Sequence, residues 1–185
     1  MFREGGGNPS SWLYTAESLM RAARSLLPSM EADARKLADP TVVNGFEIPV
    51  TPVYMLLVGL AIENLAKGIY VARHPSVCSS DNLPRELTTH KAIELLESLD
   101  VGLSQAEIGL LERIETFVLW AGRYPIPLKL DDLLPRNQPG GGFSPLTFVT
   151  SADFEMIESL TIRLAATLER AQPTGSEVND SEPAS

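Results

Sequence analysis

The chain has 185 residues, 44% of them hydrophobic and 21% charged, the ordinary balance of one globular domain large enough to bury a core. Its formal charge of −9 excludes a broad basic footprint for nucleic acid, so any such contact has to be local. The lone Cys78 excludes an intrachain disulfide and fits a reducing cytoplasm, and with only two histidines beside it no zinc constellation is expected.

The N-terminal stretch MFREGGGNPSS lacks the apolar centre of a signal peptide. Asn8-Pro9 then reads as a helix cap followed by a proline in the first turn. The helix it opens carries Trp12, Ala16, Leu19, Met20, Ala23, Leu26 and Leu27 at helical spacing and is expected to end at Pro28. Residues 38–50 carry prolines and are expected to be irregular, with short extended pieces.

Thr51-Pro52 announces the second helix in the same way, and Pro75 stops it at His74. Its sequence, TPVYMLLVGLAIENLAKGIYVAR, is apolar nearly all round in its first half, which places it at the centre of a bundle. The uninterrupted apolar run from Tyr54 to Ile62 is much shorter than the roughly 20 residues of a membrane span. A soluble, cytoplasmic protein with no membrane partner is the expectation.

A short third helix is predicted from Thr89 to Leu99, buried through Ala92, Ile93, Leu95, Leu96 and Leu99. Ser104 to Glu107 spells a capping box for the fourth, with Leu103 stapling onto Ile108. The stripe of that helix is Ile108, Leu111, Ile114, Phe117, Val118 and Ala121, and Gly122 is expected to terminate it. Residues 124–150 are expected to be irregular, with Pro139 and Gly140 to Gly142 marking a mobile loop. The fifth helix runs from Ala152 to Ala171 behind Ser151, with Phe154, Ile157, Leu160, Leu164 and Leu168 inward. Residues 1–172 then form a single helical domain, and the acidic tail 173–185 is expected to be disordered. The fold class is all-α: an antiparallel bundle of about five helices.

This order of elements, with AIENLAKG in the central helix, LTTHKAIELL after it and a later helix ending in WAGRYP, resembles the HEPN-like (higher eukaryote and prokaryote nucleotide-binding) superfamily. The likeness is to bacterial members with a central E-N-x-x-K helix and spans Trp12 to Pro125. It implies a homodimer formed through an exposed apolar helix face. It also implies metal-independent endoribonuclease chemistry where an Arg precedes a His by four to six residues, a spacing met here by Arg85 and His90.

In that chemistry His90 would act as general base on a ribose 2′-OH while Arg85 stabilises the phosphorane. With Thr88 or Thr89 as cap, His90 is expected in the first turn of the third helix. Glu63 and Lys67 have the i, i+4 order of a salt bridge, and their apolar surroundings predict burial in a polar network or a pocket wall. Asn64 points about 100° away from Glu63 and should meet other partners. Arg123 can stack on Trp120 or Tyr124, or offer its guanidinium to an anion. The glycine runs lack a following Lys-Ser/Thr, so neither is a P-loop, and no cofactor or metal is expected.

Two functions of different class follow. One is a binding and interaction module, in bacterial defence or a toxin–antitoxin system, with an anion-accepting cleft near Glu63, Asn64, Lys67, His90, Arg123 and Tyr124. The other is a ribonuclease using Arg85 and His90. Glu86 directly after Arg85, the early position of the motif and the net acidity favour the first. Partners expected for it are a second copy, another protein, or RNA or a nucleotide.

Overall fold

The computed structural model describes residues 5–38, 49–78, 83–127, 129–137, 143–145, 147 and 149–172. The expectations for 39–48, for the glycines at 140–142 and for the tail 173–185 lie outside the described residues. The chain is all-α. Its helices are α1 (Pro9–Arg24), α2 (Leu27–Ala38), α3 (Thr51–Arg73), α4 (Arg85–Thr88), α5 (Ala92–Ser98), α6 (Gln105–Thr116) and α7 (Ser151–Ala171). A π-helical turn, Phe117–Ala121, continues α6, and a 3-10 turn, Leu130–Leu133, precedes a ladder in which Arg136–Asn137 pairs antiparallel with Phe143–Ser144.

The predicted first helix is divided. α1 starts as expected, with the Asn8 side chain accepting from the Ser10 N–H, but the chain turns at Ser25 and Leu26 and helix resumes at Leu27. Pro28 therefore sits in a first turn, where its missing N–H costs nothing, and opens a helix instead of ending one.

α3 is the axis of the bundle. It packs against α1, α7, the π turn, α5 and α6. Tyr54, Met55, Val58, Ala61, Ile62, Leu65, Ala66 and Ile69 are all buried in the main core, where they meet Leu110, Leu111 and Ile114 of α6 and Ile157, Leu160, Leu164 and Leu168 of α7. By length and composition α3 could cross a membrane, but 72% of its most apolar window is buried inside the bundle, the placement of a core helix. Glycine lets the neighbours come close. A Cβ at Gly59 would lie 2.3 Å from Val118 Cγ2, and one at Gly68 would lie 2.7 Å from Leu168 Cδ2.

The capping box before α6 forms: the Glu107 N–H donates to Ser104 Oγ, and the Ser104 N–H donates to Glu107 Oε2 at 2.8 Å. Gly122 follows the π turn as predicted, with a different reason. Its φ of −87° is open to any residue, but a Cβ there would lie 2.7 Å from Leu56 Cβ and 3.0 Å from the Pro52 carbonyl oxygen. Side-chain pairs tie α7 down: Arg24 to Glu158, Arg113 to Asp153, and Arg163 to Glu107.

Candidate functional site

Glu63 and Lys67 lie one turn apart on α3, and both are buried. Lys67 Nζ is 2.6 Å from Glu63 Oε1. The second carboxylate oxygen, Oε2, is 2.9 Å from Nδ1 of His90. Glu63 thus bridges a buried ammonium and an imidazole that is 50% exposed. Glu63 and Lys67 leave water because each replaces the other's hydration, so removal of either leaves a buried charge without compensation.

The bridge sets the chemistry of the ring. An ionised carboxylate only accepts, so a neutral His90 carries its proton on Nδ1 and keeps the Nε2 lone pair as an acceptor. A half-exposed ring anchored through one nitrogen can present the other to a ligand or take a proton from one. Lys67 is the carboxylate's second partner, and its own charge is already engaged.

His90 reaches this position from a linker. The predicted helix from Thr89 is interrupted: α4 ends at Thr88, Thr89 is extended, and α5 begins only at Ala92. The cap explains the difference. Glu115 of α6 accepts from the Ile93 N–H at 2.9 Å, so the helix starts where that carboxylate can reach. Burial holds the Glu115 carboxyl above its ordinary value, opposed by the backbone N–H groups at the start of α5. A cap supplied from another helix leaves no local spacing to read.

A second tie lies two turns further along α3. Burial and the nearby Glu86 carboxylate of α4 push the pKa of the Tyr70 phenol up. Tyr70 also stacks on His74 at 4.4 Å, and His74 Nδ1 donates to the Tyr70 carbonyl at 2.8 Å. Glu63, Lys67, Tyr70 and His74 follow one stripe of α3 at spacings of four, three and four, facing Glu86 and His90. Sequence reasoning missed Tyr70, His74, Glu86 and Glu115, although the stripe on α3 had the spacing to reveal two of them.

The other candidate residues sit elsewhere. Asn64 is half-buried and donates to the Leu60 carbonyl at 2.7 Å, a bond within its own helix. Arg85 is exposed at the start of α4 and lines a shallow pocket of about 220 Å³ with Glu86, Thr89, Glu94, Leu95 and Ser98. His90 is not among the residues around that pocket. Arg123 donates to the Leu119 carbonyl at 3.0 Å and stands 5.5 Å from the Tyr124 ring centroid. Its neighbour Gly122 abuts Pro52 and Leu56, so Arg123 and Tyr124 lie at the start of α3, roughly 16 Å along the axis from Glu63. A larger groove of about 390 Å³ runs between the ends of α3 and α7. Its arginines, Arg73 and Arg170, already donate to the carbonyls of Leu99 and Ala166. Among the described residues no group of His, Cys, Asp and Glu could hold a metal ion. No protein-family model, curated protein or solved structure matches the chain.

Proposed function

We propose that the chain is a HEPN-like binding and interaction module of the bacterial cytoplasm, serving a defence or toxin–antitoxin system. Its ligand-facing group is His90. The observation that carries this reading is the buried Glu63 carboxylate shared between Lys67 and a half-exposed imidazole. Buried charge of this kind concentrates at functional sites. RNA or a nucleotide would meet His90 through Nε2, which is an acceptor when the ring is neutral and a donor when it is protonated.

One observation favours a second reading, the metal-independent endoribonuclease. A carboxylate behind Nδ1 and an open Nε2 is the arrangement a general base requires. Against it, Arg85 lines a pocket to which His90 does not contribute, and the charge of −9 repels a polyanion at long range.

Incubation of a mixed RNA pool with the wild type and with His90→Ala, without added metal, separates the two. The binding-module reading expects intact RNA with both proteins. Cleavage by the wild type that disappears in His90→Ala would replace that reading with the nuclease.

A further inference from the structure

The first turn of any helix leaves backbone N–H groups without partners inside the helix. In α5 the residue in the capping position is Lys91, whose ammonium can only donate; it makes no cap and pairs with Glu94 instead. The acceptor comes from α6, where the Glu115 carboxylate takes the Ile93 N–H at 2.9 Å. Ile93 is the second residue of α5, and its N–H is one that a serine or aspartate cap normally takes. Glu115 thus replaces a local cap from 22 residues away.

His90 stands directly before that first turn. Thr89 is extended, and its hydroxyl accepts from the Lys91 N–H at 3.2 Å, so the imidazole sits in the middle of one short link between α4 and α5. The α4 end of the link is held by the Thr89 N–H, which donates to the Arg85 carbonyl at 3.0 Å. The α5 end is held by Glu115. With only seven residues, α5 is too short to keep its first turn unaided. Leu95 and Leu96 anchor its second turn in the core, whereas the first turn adds little more than the methyl group of Ala92.

Glu115 serves here as an acceptor and not as a charge. Burial outweighs the N–H groups it meets and favours the neutral acid, whose carbonyl oxygen still accepts. Its charged neighbours, Glu94 and Lys91, act on it in opposite directions. We infer that Glu115 is a positioning residue for His90: as a hydrogen-bond acceptor on α6 it caps α5, holds the link so that His90 Nδ1 meets Glu63 Oε2, and thereby fixes which ring nitrogen faces a ligand. This role rests on the reading of His90 as the ligand-facing group, and it adds α6 to the elements that present the ring.

Nitrogen-15 NMR of the two histidine side chains tests this on the full chain, without ligand, at a pH where the rings are neutral. In the wild type His90 should be the Nδ1–H tautomer, with a proton-bearing and a lone-pair nitrogen at well-separated shifts. Its signals are those lost in His90→Ala. Glu115→Gln keeps an acceptor oxygen in place and should leave both shifts unchanged. Glu115→Ala removes it, and the two His90 shifts should move towards each other as the freed ring averages over both tautomers. Adding Lys91→Ser to Glu115→Ala puts a capping-box hydroxyl three residues before Glu94 and should restore the wild-type shifts. His74, whose Nδ1 bonds within α3, should respond to none of these changes. Wild-type shifts in a folded Glu115→Ala would overturn the role, and so would a change in Glu115→Gln as large as that in Glu115→Ala. If Glu115→Ala does not fold, the double variant decides: wild-type shifts support the role, and an unfolded chain or averaged shifts overturn it. RNA is absent throughout, so an error about Glu115 and an error about His90 show in separate experiments.

Discussion

Glu63 is a carboxylate set into the most apolar helix of the chain, and its two partners differ sharply in exposure. Lys67 is buried beside it, whereas His90 is half in water. Their removal should therefore have unequal effects. Glu63→Ala leaves the Lys67 ammonium buried without a counter-charge, and breaking a buried pair in this way costs about 3 to 5 kcal/mol. His90→Ala removes one hydrogen bond from an exposed ring while Glu63 keeps Lys67, which costs about 1 kcal/mol. Thermal melts of the two variants should show a drop for Glu63→Ala several times that for His90→Ala. Equal and small shifts would mean that water reaches the pair. The Glu63–Lys67 contact was legible because both partners sit on one helix, four residues apart. The His90 contact spans 27 residues and depends on where α5 begins, a point fixed by Glu115 from another helix.

At the scale of elements, α3 approaches its neighbours closely enough that two of its residues have room only for hydrogen. The obstacles differ. At Gly59 a Cβ would meet Val118 Cγ2 at 2.3 Å and Ile114 Cγ2 at 2.8 Å, both on β-branched side chains that cannot swing aside. At Gly68 it would meet Leu168 Cδ2 at 2.7 Å, the far end of a flexible chain, and Trp12 Cβ at 3.0 Å. Alanine gains about 1 kcal/mol of helix propensity over glycine in either place, while overpacking costs about 1 to 3 kcal/mol. Gly59→Ala should therefore destabilise clearly in chemical denaturation, and Gly68→Ala much less. The reverse order would show that α3 and α6 can separate more readily than α3 and α7. Such approaches leave little trace in sequence, where a glycine inside an apolar helix reads only as a weak position. The ends of α3 were legible because Thr51-Pro52 and His74-Pro75 act locally. Pro28 was misread because a proline in a first turn and a proline after a last turn look alike in sequence, and only the turn at Ser25 and Leu26 decides between them.

For the molecule as a whole, the arrangement around α3 bears on how many units melt. Its 23 residues span about 34 Å, and no other helix among the described residues is as long. The π turn that holds Trp120 lies against its first half, where Val118 abuts Gly59 and the following Gly122 abuts Pro52 and Leu56; Trp12 of α1 lies beside Gly68 in its second half and donates to the Gly6 carbonyl. The two tryptophans therefore report on opposite ends of one buried helix. If α3 holds the bundle together as a single core, neither end can lose its packing without exposing the apolar face that the other end shares. Trp12→Phe leaves Trp120 as the fluorescent probe, and Trp120→Phe leaves Trp12. Each fluorescence melt should coincide with the circular dichroism melt of the same variant, as a two-state transition requires. An earlier transition seen by Trp120 alone would mean that the α6 end opens by itself.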